Sequence, residues 1–432
     1  MHARFRYLMP LLLLLQGLSL LAQPAFDHWL KKKEGAKIEP FIMLQLWSTY
    51  SMGQERYNTD TQQYEPLENR FNTQLRRARL GFRAEPYERL QVNIVGAYDL
   101  IGRDVNAAPV GDANNGGLPR LGIWDAFVQW NLLPESQALN LIAGYFRPQL
   151  SRESITSGWS VNSMEKAMSQ NYIRKHLTGI ASGRATGLNI GGLLYERRIH
   201  YNLGVFNPTF PANNGNSTGT QFSPLLVGRV ALHVGDPEMT TYRIAYDINY
   251  FGARRGLTLA GGGAWQGATD LFDESYTAAF DFLLNYGSLQ LDGEWNFLWR
   301  EGHQILPSDG NRYFTNYEGA GHIRAGYNVI INQKYLIEPS FMYMRYMGAM
   351  STEAQRNARA VGAFAGQEYT FDAGLNWYLH QKNLKVMLHY TWQGGDAGAA
   401  GLGATVNPHF FQANVGAIQR GNWIGLGLNT IF

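Results

Sequence analysis

The chain has 432 residues, 45% hydrophobic and 13% aromatic, with 16% charged residues, 48 glycines and no cysteine. Globular chains average about 25% charged residues and about 7% glycine, so this chain is poor in charge and rich in glycine; the missing cysteines exclude disulfide scaffolds, thiol nucleophiles and zinc clusters. Mean hydropathy is -0.27, and no apolar run of about 18 residues follows the first segment, which excludes a bundle of membrane-spanning helices.

Residues 1–22 read as a secretory signal. Arg4 and Arg6 make a basic start, Leu11 to Leu15 with Leu18, Leu20 and Leu21 an apolar centre, and Ala22 a small residue before the cut at Gln23. Losing the two arginines takes the formal net charge from +3 to +1, so no basic surface for nucleic acid is implied. With no cysteine at the cut, a lipid anchor is excluded as well. Residues 23–37 form a short periplasmic lead-in carrying Lys31, Lys32, Lys33 and Lys37.

From residue 38 to 432 apolar residues recur at every second position, the period of strands. In 288–299, Leu289, Leu291, Trp295, Phe297 and Trp299 share one face, and Gln290, Asp292, Glu294 and Asn296 the other. In 369–380, Tyr369, Phe371, Leu375 and Trp377 oppose Thr370, Asp372 and Asn376. The runs are longer than the five or six residues usual in soluble sheets and match the roughly 9–11 that a tilted strand needs to cross a bilayer. Aromatics such as Trp295, Trp299, Tyr390 and Trp392 sit at the ends of the apolar faces, and Phe432 closes the chain in phase with its apolar face. A backbone in lipid must pair every N–H and C=O, so the sheet has to close. The predicted fold is an all-β, antiparallel transmembrane barrel over 38–432.

Alternating short and long connections set the strand count. Strands are predicted at 38–50, 71–84, 88–101, 120–132, 138–147, 184–195, 198–206, 224–234, 257–267, 274–286, 288–299, 317–330, 334–347, 366–380, 383–393 and 422–432. Sixteen strands put both termini on the periplasmic side. The segment 241–251 also alternates, yet counting it would place the long 300–316 connection on the wrong side, so 235–256 is read as an extended turn or lumen-facing excursion.

On the second strand, Ala78, Leu80, Phe82 and Ala84 suit lipid, which turns Arg77, Arg79 and Arg83 toward the lumen. Guanidinium groups stay charged and offer planar forks to phosphate or carboxylate oxygens, so an arginine row in a narrow pore concentrates anions. The same arginines could instead pair with lumen acids such as Asp99, Asp125, Glu294 or Glu338 and stiffen the wall. The longest outer loop, 148–183, is locally basic through Arg152, Lys166, Arg174 and Lys175, with Arg184 just beyond. Asn162 or Ser163 is placed to cap a short helix with Glu165 in its first turn. Met164, Ala167 and Met168 then form an apolar stripe; packed against the inner wall, the loop narrows the pore, and the alternative is an exposed surface loop with solvated charges. Arg229, His322, Arg324, Lys385 and His389 face the lumen by phase. HExxH and GxSxG patterns are absent, and the lumen carboxylates are too dispersed to mark an acid/base pair.

Leu75-Arg-Arg-Ala-Arg-Leu-Gly81, Trp124-Asp-Ala-Phe-Val-Gln-Trp130, Ala143-Gly-Tyr-Phe-Arg-Pro148, Met164-Glu-Lys-Ala-Met168, Tyr201-Asn-Leu-Gly-Val-Phe-Asn207 and Ile337-Glu-Pro339, in this order, resemble the phosphate-selective porin O and P family. The resemblance spans the mature chain and is clearest over 71–207. It implies a sixteen-stranded homotrimeric outer-membrane porin whose third outer loop folds into the channel. The chain departs from the family pattern in having few barrel lysines. The expected function is passive diffusion of small hydrophilic solutes through the bacterial outer membrane, with a preference for anions such as phosphate. Its expected anion contacts are Arg77, Arg79, Arg83, Arg152, Lys166, Arg174, Lys175 and Arg229. No cofactor or metal is expected; the partners are small solutes and the bilayer. A plugged structural or adhesive barrel and a barrel-embedded hydrolase are the alternatives.

Overall fold

The structure is a computed structural model that describes residues 33, 35, 38–110, 117–209, 220–306, 310–331, 335–399 and 407–432; the signal at 1–22 and nearly all of the lead-in lie outside them. Sixteen antiparallel strands close on themselves: β1 Ile38–Met52, β2 Arg70–Tyr87, β3 Leu90–Ala97, β4 Gly122–Asn131, β5 Asn140–Phe146, β6 Ala185–Leu194, β7 Ile199–Asn207, β8 Leu225–Gly235, β9 Arg255–Gln266, β10 Glu274–Tyr286, β11 Leu289–Leu306, β12 Gly310–Tyr327, β13 Tyr335–Met347, β14 Gln367–His380, β15 Leu384–Asp396 and β16 Asn422–Ile431. A three-residue piece, Val329–Ile331, prolongs β12 along β13.

Each strand pairs with its sequence neighbours, and β1 closes the ring by pairing with both β2 and β16. Phe432 takes part in the closure: its N–H donates to the Ile42 carbonyl (2.9 Å) and its carbonyl accepts from the Ile42 N–H (3.2 Å). The alternation behaves as hydrocarbon outside requires. Leu226, Val230 and Leu232 on β8 are exposed outward while Val227, Arg229 and Ala231 are buried inward.

Tight connections at 88–89, 195–198 and 381–383 mark one end of the barrel, taken as periplasmic, and long ones at 53–69, 98–121, 147–184 and 397–421 mark the other. The 300–316 stretch, expected to be a long loop, is instead largely strand: β11 and β12 pair from Leu289–Tyr327 out to Leu306–Gly310. The hairpin thus rises beyond the aromatic level of Trp299 and Tyr317. In a small separate sheet Glu55–Asn58 of the first outer connection pairs with Gln63–Pro66 of the same connection and with Gly416–Gln419 of the last, which in turn pairs with Phe411–Gln412, so that the two connections are joined.

The segment 236–254, between β8 and β9, is not a barrel strand. Tyr242, Tyr246 and Ile248 are buried, and the Tyr242 hydroxyl reaches Asn189 (2.9 Å) and Asn202 (2.6 Å) on the inner faces of β6 and β7. It is the lumen-facing excursion that its place between two periplasmic strand ends suggests.

Candidate functional site

The connection 147–184 between β5 and β6 carries α1 Arg152–Ile155 and α2 Ser169–Thr178. Three consecutive residues attach it to inward-pointing side chains of the wall. The Ser151 hydroxyl and the Glu153 N–H both donate to Glu294 on β11, at 2.8 and 2.9 Å. Arg152 donates to Asp281 on β10 (2.8 Å) and, as a fork, to Glu238 of the excursion (2.7 and 3.1 Å). Asp281 in turn takes a fork from Arg229 (2.8 and 3.0 Å). Glu153 accepts from Arg324 on β12 (2.8 Å), which also holds Asp292 (2.9 Å).

All these groups are buried, where an ion pair is retained only if its lone pairs and protons are satisfied. Burial pushes the Glu153 carboxyl up, but Arg324 and His322 more than reverse this and hold it well below the usual carboxylate range. Arg152 does the same for Glu238. Glu153, Asp292 and His322 offer ligand atoms within 4.8 Å of one another, a spacing open to a metal ion. The guanidinium of Arg324 bonds both carboxylates, so a cation already stands there.

Glycine at 262 permits this close approach. A Cβ there would meet Leu150 of the 147–184 connection at 2.9 Å and the Gly228 carbonyl at 2.4 Å. The expected helix capped at Asn162 or Ser163 does not form, because those side chains have tertiary partners: Asn162 donates to Glu338 (2.9 Å) and Ser163 accepts from Arg324 (3.1 Å). Glu165 binds the arginines of β2, and the helix begins only at Ser169. Of the apolar stripe, Met164 packs with Trp47, Met387 and Trp423 of the wall.

On β2 a bulge alters the expected row. Arg77 sits opposite Gln45 and Leu75 opposite Leu46, so Arg76 is the extra residue and both consecutive arginines are buried inward. Both pair with Glu165, Arg76 at 2.7 Å. Strict alternation assigns Arg76 to lipid; the signal for the bulge is that charge itself, which hydrocarbon would not tolerate. Arg79 forms a fork with Asp99, one arm at 3.0 Å. The Trp124 indole lies between two guanidiniums, with Arg79 at 3.9 Å and Arg184 at 3.8 Å from its ring. Arg184 pairs with Asp125 (3.3 Å). Arg83 stands apart, exposed at the periplasmic end opposite Glu39 and Asn93.

A second group of cations surrounds the turn 154–156. Arg147 donates to the Thr156 carbonyl (3.1 Å), Lys166 to the same oxygen (2.7 Å), and Arg174 to the Ser154 carbonyl (2.7 Å) and hydroxyl (3.2 Å). Among the described residues none of the three has a carboxylate within salt-bridge distance. Burial, then the charge of Arg174, pushes the Lys166 ammonium well below its ordinary value. Lys175 is half-buried, its ammonium 5.2 Å from the Phe364 ring. Arg147 falls inside the expected strand 138–147, but β5 ends at Phe146 and Arg147 turns to the carbonyls of 154–156.

The profile described as "Phosphate-selective porin O and P" matches residues 51–413. No curated relative matches at a significant level. Among solved structures, the outer membrane channel DcaP of Acinetobacter baumannii superposes with a TM-score of 0.55 at 13% identity, covering 93% of this chain and 99% of that one. The anion-selective porin from Comamonas acidovorans gives 0.54 at 11% identity over 92% and 100%. The OmpF of Salmonella typhi, solved with daunomycin, gives 0.55 at 10% identity over 92% and 98%. At these identities the likeness is one of fold.

Proposed function

The chain belongs to the phosphate-selective porin O and P family and is a porin of the bacterial outer membrane, and on that premise we propose that it passes small hydrophilic solutes with a preference for anions. The observation that carries this preference is the convergence of Arg147, Lys166 and Arg174 on the turn 154–156 with carbonyl and hydroxyl partners in place of carboxylates. No carboxylate occupies the place beside these cations that an arriving oxyanion would take. Arg77, Arg79, Arg152 and Arg229, each paired with an acid, serve in this reading as rivets between wall and inserted segment. The segment 147–184 is the constriction, and Lys175 lies in the last turn of its helix Ser169–Thr178.

Phosphate added to a chloride-conducting channel is expected to lower the current in wild type and leave Lys166→Met/Arg174→Met unaffected. Absence of block in both would remove phosphate from the solutes. The mature form, after loss of 1–22, is proposed to assemble as a homotrimer, which native mass measurement in detergent tests.

The reading is of a channel without catalysis. The buried Asp372–His389 pair (2.7 Å) has the Asn376 carbonyl at the other imidazole nitrogen, and Thr391 bonds the carboxylate rather than the ring. Among the described residues neither ring nitrogen of His389 bonds a hydroxyl. A plugged barrel is the second reading, favoured by the inner-face residues Asn296, Glu338, Asn376 and Lys385, which have no exposed surface; purified protein that never raises bilayer conductance would support it.

A further inference from the structure

The excursion 236–254 runs across the periplasmic mouth as a strap. On one side it is held by β4 to β7: the Tyr242 N–H donates to Gln137 (3.0 Å), the Tyr242 carbonyl accepts from Gln129 (3.0 Å), and its hydroxyl joins Asn189 and Asn202. On the other side it reaches turns nearly opposite in the ring. Lys382, in the turn after β14, donates to both oxygens of Asp247 (2.9 and 3.0 Å), and Asn249 exchanges hydrogen bonds with Asn328 after β12 (2.8 and 2.9 Å). Midway, Tyr246 makes a single parallel bridge with Thr156 of the constriction.

In the far anchorage Asn249 and Asn328 are buried, and the ion pair beside them is less so. Glu238, near the β8 end, is bound to Arg152 with both side chains fully buried, whereas the Asp247–Lys382 pair has side-chain exposures of 14% and 40%. Water competes for the second pair and weakens it. Gly235 (φ +80°) and Gly252 (φ +83°) bound the strap in the left-handed region, where a glycine can absorb a change of backbone direction.

We propose that 236–254 is a periplasmic gate, held across the lumen by the Asp247–Lys382 latch and opening about Gly252. Strap and constriction meet at Tyr246 and Thr156, and release of the latch moves the strap out of the lower lumen. The proposal rests on the porin reading.

The absence of native cysteine makes the test clean. Asp247→Cys/Lys382→Cys protein in planar bilayers is expected to conduct at least as well as wild type, to lose most of its conductance on treatment with a bis-methanethiosulfonate cross-linker, and to regain it on reduction. A barrel with 236–254 replaced by a two-residue turn is expected to conduct several-fold better than wild type. Conductance indifferent to cross-linking confirmed by mass, or unchanged by strap removal in a barrel that keeps its folded gel mobility, overturns the gate while leaving the porin reading intact. A silent wild type beside a conducting strapless barrel supports the gate; silence of both overturns gate and pore together.

Discussion

Two groups of buried or half-buried cations share the barrel interior and differ in what faces them. On β2 and its neighbours, Arg76, Arg77, Arg79 and Arg184 each meet a carboxylate: Glu165, Asp99 or Asp125. Around the turn 154–156, Arg147, Lys166 and Arg174 meet carbonyl oxygens and a hydroxyl. A carboxylate cancels a cation's charge at a distance; a carbonyl orients the cation and leaves its field in place. The number of arginines in a pore wall therefore says less about selectivity than the identity of their partners.

The sharpest way to break this comparison is to remove a cation of the first group. Arg79→Met strands Asp99 in the wall, which is expected to lower stability by about 3–5 kcal/mol, seen as a fall in the unfolding midpoint in detergent, with anion preference retained. A stable variant that had lost its selectivity would reverse the roles of the two groups.

The second group should respond to pH. Lys166 has its value depressed by burial and by Arg174, so in the folded protein it loses its proton below the ordinary lysine range. In that window the unfolded chain binds more protons, and stability rises with pH while the positive charge at the turn disappears. Anion preference is expected to decline as pH rises through the window, and Lys166→Met to remove that decline. A decline that persists in Lys166→Met would assign it to another group.

A smaller effect belongs to Trp124, stacked between Arg79 and Arg184. Trp124→Leu is expected to cost about 0.5–2 kcal/mol of unfolding free energy per lost ring contact, leaving the ion pairs with Asp99 and Asp125. The smallest change is expected for Arg243→Met, since the Arg243 side chain is 43% exposed and its pair with Asp247 falls nearest the class worth about 0–1 kcal/mol. A large loss there would show that the strap is held more firmly than its exposure implies.

Much of this barrel can be read from period-two alternation, because hydrocarbon outside and polar groups inside impose the same rule on every strand. The closure at Phe432 follows from it, whereas the exclusion of 241–251, which alternates as well, rests on the order of short and long connections. Three features do not. The bulge at Arg76 breaks the alternation on which the reading depends. The helix beginning at Ser169 lacks a side-chain cap, while the better capping residues Asn162 and Ser163 are taken by Glu338 and Arg324, partners distant in sequence. The pairing of each arginine is likewise long-range: Glu165 and Arg77 are 88 positions apart, a distance at which spacing carries no information.

The central claim is that the carbonyl-bound cations set selectivity and the carboxylate-bound ones hold the wall. The most direct measurement is the single-channel reversal potential in a chloride gradient, for wild type, Lys166→Met/Arg174→Met and Arg77→Ala/Arg79→Ala. The account predicts anion selectivity in wild type, its collapse in the first variant and its survival in the second. Collapse in the second variant with survival in the first would contradict it.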